Sequence, residues 1–198
     1  MPEIFSIGHS NHPIGHFLDL LRRHQIAALA DVRSRPYSRF NPQYNRETLA
    51  ETLRAAGMSY VFLGAELGGK RDGVSYAEIA ASDGFRRGLD RLREGAARMR
   101  VAFMCAEREP LDCHRTLLVS RHLTAPDLAI RHILADGTVE EHESVERRLV
   151  AQMGEAPLPL MAPLLAADPE AWRAVVERAY IVRTRSWGHD DAGGEGRG

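Results

Sequence analysis

The sequence predicts a three-layer α/β protein: a mainly parallel sheet with helices on both faces, an antiparallel edge hairpin and a helical C-terminal extension. Three observations lead to this fold. Short apolar runs alternate with amphipathic helical stretches, which is the order of βαβ units. The run Val101–Cys105 is apolar throughout, as expected of a parallel strand covered on both faces. Asp136-Gly137 lies between two strand-like segments and indicates a hairpin.

The first half of the chain predicts consecutive strand–helix–strand steps. Pro13 lies near the start of the first helix, and Gly57 ends the second as a C-cap residue would. The loop 34–45 is too long and too rich in arginine and aromatic residues for a simple connector. In order, the predicted elements are the strand Ile4–Ile7, a helix from about Ile14 to His24, the strand Ile26–Val32, the helix Arg46–Ala56, the strand Ser59–Leu63 and a glycine-rich loop, Gly64–Ser75.

In the second half, Asp112 has the side chain of a good N-cap, which would place Cys113 and the next two residues in the first turn of a helix. Backbone N–H groups at such a terminus favour anions and the ionised form of a thiol, so Cys113 is a candidate thiolate. The other predicted elements are a helix at 84–99, the strands Val101–Cys105, Leu128–Leu134 and Thr138–Glu141, a helix from about Ser144 to Met153 and a last helix capped by Asp168.

These elements divide the chain into three segments. Residues 1–150 form the α/β domain, and residues 151–185 form a helical C-terminal extension that we expect to pack on it. Residues 186–198 are rich in glycine and charge, so we expect them to be disordered. The sequence leaves open whether the extension joins two copies into a homodimer.

Composition excludes several classes of protein. A net charge of −1 and a pI near 6.8 argue against a generally basic nucleic-acid binder but allow a local basic pocket. We find neither a leader segment nor an apolar run near the ~20 residues of a membrane span, so we expect a cytoplasmic protein without a membrane partner. The two cysteines lack Cys-x-x-Cys spacing, so we expect reduced thiols rather than a disulfide scaffold or an ordinary zinc knuckle.

Polar residues follow each of the four parallel strands at its carboxyl end, where ligands bind in open α/β sheets. They are His9 and Ser10 after the first strand, Asp31, Arg33, Arg35 and Ser38 after the second, Lys70 and Arg71 after the third, and Glu107, Cys113, His114 and Arg115 after the fourth. The sequence therefore predicts one crevice that all four loops surround.

Arginines in that crevice indicate an anionic, phosphate-bearing ligand. The predicted ligand-binding residues are Ser10, Arg33, Arg35, Ser38, Tyr44, Lys70, His114 and Arg115. The predicted catalytic residues are Asp31, Glu107 and His9 for proton transfer, and Cys113 as a nucleophile.

A purely structural role is the alternative for each group. Asp31 could pair with Arg33 or with Arg115, and Glu107 with Arg115. Cys113 could be a small residue needed for helix packing. The aromatic residues Tyr37, Phe40 and Tyr44 could either stack on a base or anchor their loop in the core.

A metal site was weighed on four residues with suitable side chains: His9, Cys105, Cys113 and His114. Adjacent residues project about 100° apart on a helix, so Cys113 and His114 would rarely share an ion. The sequence analysis therefore predicts no metal and no other cofactor, and places Cys105 in the core.

The same motifs resemble an uncharacterised prokaryotic family, the domain of unknown function DUF488. The resemblance spans about residues 4–142 and implies a compact α/β fold without an assigned reaction. It rests on Ser6-Ile-Gly-His9-Ser10, Asp31-Val-Arg33 with Pro36 and Ser38, Leu67-Gly68-Gly69, Cys105-Ala-Glu107, Cys113-His114-Arg115, His132-Ile-Leu134 and Asp136-Gly137.

The leading functional hypothesis is an enzyme that acts on a phosphate-bearing ligand, a nucleotide or a nucleic-acid end. The first alternative is a non-catalytic module that binds a nucleotide or nucleic acid. The second is thiol-dependent chemistry at Cys113.

Overall fold

The computed structural model describes residues 1–154 and 168–190, with side chains up to residue 185. The chain divides into two compact units, Met1–His142 and Glu143–Gly198. The first unit contains the whole sheet and every residue predicted for the site.

The described elements of the first unit follow the predicted order. The strands are β1 (Glu3–Gly8), β2 (Ala28–Asp31), β3 (Ser59–Phe62), β4 (Val101–Cys105), β5 (Ala129–Ile133) and β6 (Val139–Glu141). The helices are α1 (Ile14–Arg23), α2 (Arg46–Ala55), α3 (Gly64–Leu67), α4 (Tyr76–Ala81), α5 (Asp83–Arg98) and α6 (Arg121–Leu123). Two 3₁₀ turns, Pro42–Tyr44 and Pro110–Asp112, and a π-helix, Arg115–Ser120, complete the unit.

The six strands form one sheet in the order β3-β2-β4-β1-β5-β6. All neighbouring pairs are parallel except β5 and β6, which confirms the mainly parallel sheet with an antiparallel edge. The chain leaves β1 towards β2 on one side and leaves β4 towards β5 on the other. The two central strands are therefore a topological switch point, where a crevice opens beyond their carboxyl ends.

Two hydrophobic clusters cover opposite faces of the sheet, as the unbroken apolar run of β4 predicts. Phe103 and Cys105 of β4 pack with apolar residues of α5 and the π-helix. Ala102 and Met104, the alternate residues of the same strand, pack with apolar residues of α1 and α2. Cys105 therefore faces the segment that carries Cys113.

The predicted helix start at Asp112 is wrong. Asp112 ends a 3₁₀ turn, and Cys113 has extended backbone angles (φ −143°, ψ 142°). The Cys113 carbonyl accepts the N–H groups of Thr116 and Leu117, so Cys113 rather than Asp112 precedes the helical turns. The π-helix that follows is buried along its whole length.

A short helix, α3, interrupts the stretch that the sequence predicts as a glycine-rich loop. Its glycine content suggested a loop, but Leu67 is fully buried and its N–H bonds to the Leu63 carbonyl. Burial of this leucine stabilises a helical turn against the low helix propensity of Gly64.

The second unit contains α7 (His142–Gln152), apart from its first residue, and α8 (Pro169–Asp190). Asp168 caps α8 as predicted, since its carboxylate accepts the N–H groups of Glu170 and Ala171. Residues 155–167 of the predicted extension lie outside the described residues. Helix α8 runs to Asp190, so the predicted disordered segment 186–198 is described only over its first five residues.

Candidate functional site

A pocket of about 190 Å³ lies at the carboxyl edge of the sheet. Three loops line it, those that follow β2, β3 and β4. Its lining residues are Arg33, Ser34, Arg35, Lys70, Ala106, Glu107 and His114. Five of them are residues that the sequence analysis assigns to the site.

Arg33 is held by a buried ion pair with Asp31. Its Nε donates to Oδ1 of Asp31 at 2.9 Å and its Nη2 to Oδ2 at 2.6 Å, while Nη2 also donates to the Tyr44 carbonyl at 2.8 Å. Tyr60 donates its hydroxyl to the same Asp31 Oδ2 at 2.8 Å. Asp31 is fully buried, and these bonds fix the orientation of the Arg33 guanidinium.

His9 supports Arg33 from the β1 side. Its Nδ1 donates to the Ser10 carbonyl at 2.6 Å, so its Nε2 accepts from Arg33 Nη1 at 3.1 Å. Burial and the nearby guanidinium lower the pKa of His9 to about 4, so the ring is neutral at neutral pH. Its imidazole stacks on the ring of Tyr44, with centroids 4.1 Å apart. Both ring nitrogens are thus occupied by contacts that position Arg33.

The loop after β4 brings two thiols and a carboxylate together. Oε2 of Glu107 lies 2.8 Å from Sγ of Cys105 and 3.0 Å from Sγ of Cys113. The two sulfur atoms are themselves in contact at bonding distance. Both cysteines are fully buried, whereas Glu107 is half-buried and reaches the pocket.

His114 lies beside this group on the pocket wall. Its Nε2 donates to the Val32 carbonyl at 2.9 Å, and its Nδ1 lies 3.8 Å from Sγ of Cys113. Burial lowers the pKa of the imidazole. Gly69 touches the ring, and a Cβ at that position would lie 2.6 Å from the Cβ of His114.

Arg115 lies beneath the loop rather than in the pocket. It is fully buried, and its guanidinium donates to the carbonyls of Glu107 and Arg108 and to Sγ of Cys105. Burial lowers its pKa to about 10, so it stays charged at neutral pH. Gly8 must be glycine here, because a Cβ would overlap the Glu107 carbonyl and the Arg115 guanidinium.

The opposite wall of the pocket carries exposed positive charge. The side chain of Arg35 is 79% exposed, and its Nη2 lies 3.6 Å from Oδ2 of Asp72, whose side chain is 96% exposed, so this ion pair is weak and leaves the guanidinium available. Lys70 is exposed, and its backbone N–H donates to the Ser34 hydroxyl at 2.9 Å. That bond ties the β2 and β3 loops together.

Besides Arg115, three other predicted ligand-binding residues do not line the pocket. Ser38 accepts the N–H groups of Phe40 and Asn41 and so stabilises its own loop. Tyr44 is fully buried, and its hydroxyl donates to the His12 carbonyl. Ser10 has a left-handed backbone (φ 49°), and its N–H donates to the Ala106 carbonyl.

Sequence reasoning missed several residues of this region: Ser34, Ala106, Tyr60 and the participation of Cys105. Ser34 lies between Arg33 and Arg35, and this position in the sequence could have indicated that it lines the same pocket. For Cys105, the alternation of side chains along a strand could have indicated its position, because Cys105 shares a face of β4 with Phe103 and so points towards the segment that follows Asp112. Tyr60 has no signal, because its contact with Asp31 depends on strand pairing.

A family model described as "Domain of unknown function DUF488" matches residues 13–122, which is more than half of the 198 residues. The chain belongs to the DUF488 family. The matched span contains both walls of the pocket and ends within α6.

No curated protein and no solved structure matches the chain. Within the described residues, no helix combines the length and the apolar character needed to cross a membrane. The DUF488 description assigns no reaction, so chemical arguments about function depend on the pocket itself.

Proposed function

We propose that this DUF488 protein is an enzyme that binds a phosphate-bearing ligand, a nucleotide or nucleic-acid end, in the carboxyl-edge pocket and acts on it. The observation that carries the proposal is the lining of the pocket. Cations from the β2 and β3 loops face a carboxylate and a neutral imidazole from the β4 loop. An anion bound between these walls would lie beside groups that can transfer protons.

The positive wall suits phosphate oxygens. Arg35 and Lys70 contribute exposed charge, and Arg33 contributes a guanidinium whose orientation is fixed by Asp31 and His9. Among the described residues, four of the five N–H donors of Arg33 have partners, and one on Nη1 is left for a ligand. A guanidinium oriented in advance binds a phosphate with little loss of side-chain entropy.

The wall formed by the β4 loop contains the candidate residues for proton transfer. Asp31 and His9 are proposed to act through Arg33, because both carboxylate oxygens of Asp31 and Nε2 of His9 already accept hydrogen bonds from it. Glu107 is the acidic residue that lines the pocket, and His114 lies beside it. The proposed proton-transfer residue is therefore Glu107, with Cys113 buried behind it.

A binding module without turnover is the second candidate. Tyr37 and Phe40 in the loop after β2 expose 59% and 78% of their surface, and Arg39 lies over the Phe40 ring at 4.6 Å. Exposed aromatic rings beside arginine are the stacking surface that single-stranded nucleic-acid binders use. A ligand could therefore be held by these groups without any reaction.

Isothermal titration calorimetry with pyrophosphate and with adenosine 5′-monophosphate tests the pocket. We expect wild-type protein to bind both ligands. The double variant Arg35→Gln, Lys70→Gln should bind at least about tenfold more weakly, because two charge-assisted hydrogen bonds are lost. The matched control is Arg54→Gln. Arg54 is an exposed arginine in the last turn of α2, which leads to the opposite edge of the sheet.

Equal affinity of wild type and the double variant would contradict the anion pocket. Glu107→Gln then separates the two candidates. Incubation with nucleotides and 5′-phosphorylated oligonucleotides, followed by mass spectrometry of the products, should give turnover that this variant loses while it retains affinity. Binding without any product from wild type would favour the binding module.

A further inference from the structure

We propose that the pocket wall formed by the β4 loop is a zinc-binding site. The ligands are Sγ of Cys105, Sγ of Cys113, Nδ1 of His114 and a carboxylate oxygen of Glu107. This inference goes beyond the proposed function and does not depend on the phosphate ligand. It makes Glu107 and His114 metal ligands, so the proton transfer proposed above requires that Glu107 be released from the ion.

The four donor atoms converge on one point. All lie within 4.8 Å of one another, and Nδ1 of His114 is 3.8 Å from Sγ of Cys113. Tetrahedral zinc with bonds of about 2.0–2.3 Å has ligand atoms about 3.4–3.8 Å apart. Side-chain rotations that move the two sulfur atoms apart would place an ion between the four donors.

The backbone favours an ion over a disulfide between the two cysteines. Their Cα atoms are 7.5 Å apart, whereas disulfides usually join Cα atoms about 4.4–6.8 Å apart. A metal between the sulfur atoms replaces one sulfur–sulfur bond by two metal–sulfur bonds, and this longer link fits the wider separation of the Cα atoms.

The backbone also explains how adjacent residues can share an ion. Consecutive residues on a regular helix diverge and rarely share an ion, but Cys113 is extended (φ −143°) and only His114 has helical angles. The two side chains therefore turn towards the same side, and Glu107 reaches the group from the preceding loop.

His114 has the hydrogen bond that metal-bound histidines need. Its Nε2–H donates to the Val32 carbonyl at 2.9 Å, which leaves the lone pair on Nδ1 directed towards the cysteines. Such a bond from the second ring nitrogen to a carbonyl fixes the tautomer and orientation of a ligating imidazole.

Arg115 is a buried cation in contact with this cluster. It is fully buried, and among the described residues its guanidinium donates to the Glu107 and Arg108 carbonyls and to Sγ of Cys105 rather than to a carboxylate, while Glu107, Glu109 and Asp112 stabilise its charge from further away. A buried charge needs a counter-charge. Two thiolates, one carboxylate and a divalent ion carry a net charge of −1, and the Arg115 guanidinium already donates to Sγ of Cys105 at 3.2 Å. The backbone N–H of Arg115 donates to the other sulfur at 3.3 Å.

Zinc is the ion that suits this donor set. Thiolate and imidazole ligands select against magnesium and calcium, and a mixed sulfur, nitrogen and oxygen set in tetrahedral geometry is typical of zinc. Glu107 is the ligand that reaches the pocket, so it is the one that a substrate or water would displace.

The test measures metal in the full-length protein, purified with reductant and without chelator, by elemental analysis. We expect about one equivalent of zinc per chain in wild type and at least a tenfold loss in Cys105→Ser, Cys113→Ser and His114→Gln. His122→Gln is the matched control, because the His122 side chain donates to the Leu118 carbonyl and lies outside the cluster. Circular dichroism verifies that each variant is folded.

Cobalt titration of metal-free, reduced wild type keeps the test independent of any variant. We expect a thiolate-to-cobalt charge-transfer band that saturates near about one equivalent. Absence of that band together with zinc content no higher than in Cys113→Ser would overturn the proposal. So would a Cys105–Cys113 disulfide that mass spectrometry finds in freshly prepared, metal-free protein. Arg35→Gln with Lys70→Gln should retain the metal, so loss of phosphate binding and loss of zinc are distinguishable.

Discussion

At the scale of single residues, Arg33 is held in a buried group that also contains Asp31, His9, Tyr44 and Tyr60. Asp31 was predicted as a general base or as an ion-pair partner, and its contacts with Arg33 and Tyr60 correspond to the ion-pair alternative. The Arg33 guanidinium therefore has a fixed orientation at the pocket wall.

His9 makes the stability of this group depend on pH. Its pKa is lowered from 6.5 to about 4 in the folded protein, so the unfolded chain binds the extra proton first as the pH falls. The stability that depends on neutral His9 is complete above about pH 6.5 and is lost between pH 6.5 and about 4.

We expect His9→Gln to flatten this part of the pH profile, because the glutamine oxygen can still accept from Arg33 but does not titrate. Urea unfolding across this range should show wild type losing ~3 kcal/mol more than the variant. His16→Gln, at an exposed histidine, is the control and should follow wild type. Parallel profiles for wild type and His9→Gln would show that His9 is not held neutral.

At the scale of elements, the site depends on how the β3 loop packs against the segment from Cys113 onward. Gly69 lies against His114, and a methyl group at this position would collide with the His114 side chain. We expect Gly69→Ala to lower the free energy of unfolding by about 1–3 kcal/mol through overpacking.

Gly15→Ala is the matched substitution, since a Cβ at Gly15 in α1 meets nothing within 4 Å. We expect it to be neutral or slightly stabilising because alanine has the higher helix propensity. Urea unfolding compares the two variants. Equal stabilities would mean that the loop yields freely and does not position His114.

Local sequence patterns predicted most elements correctly, because hydrophobic periodicity and the residues that cap helices or form turns act over short stretches of the chain. The errors fall where tertiary contacts decide the conformation. The apolar anchor Leu67 turned a glycine-rich stretch into α3, and burial of the segment after Cys113 produced a π-helix that no sequence pattern indicates. The extended Cys113 was missed for the same reason, and with it the convergence of both cysteines.

At the scale of the whole molecule, strand order explains why these residues meet. The sequence could assign polar residues to strand ends, but it could not give the order β3-β2-β4-β1-β5-β6, which makes β4 the neighbour of both β1 and β2. That order places the β4 loop against Val32 and against the Gly8 end of β1. The predicted crevice therefore became two parts, a pocket and a buried group that supports it.

The central claim is that the pocket binds a phosphate group between the β2, β3 and β4 loops. A crystal structure of the protein with pyrophosphate tests it most directly. We predict a phosphate within about 3 Å of Nη1 of Arg33, with Arg35 or Lys70 also in contact. An empty pocket at saturating pyrophosphate, or a phosphate bound only away from these side chains, would contradict it.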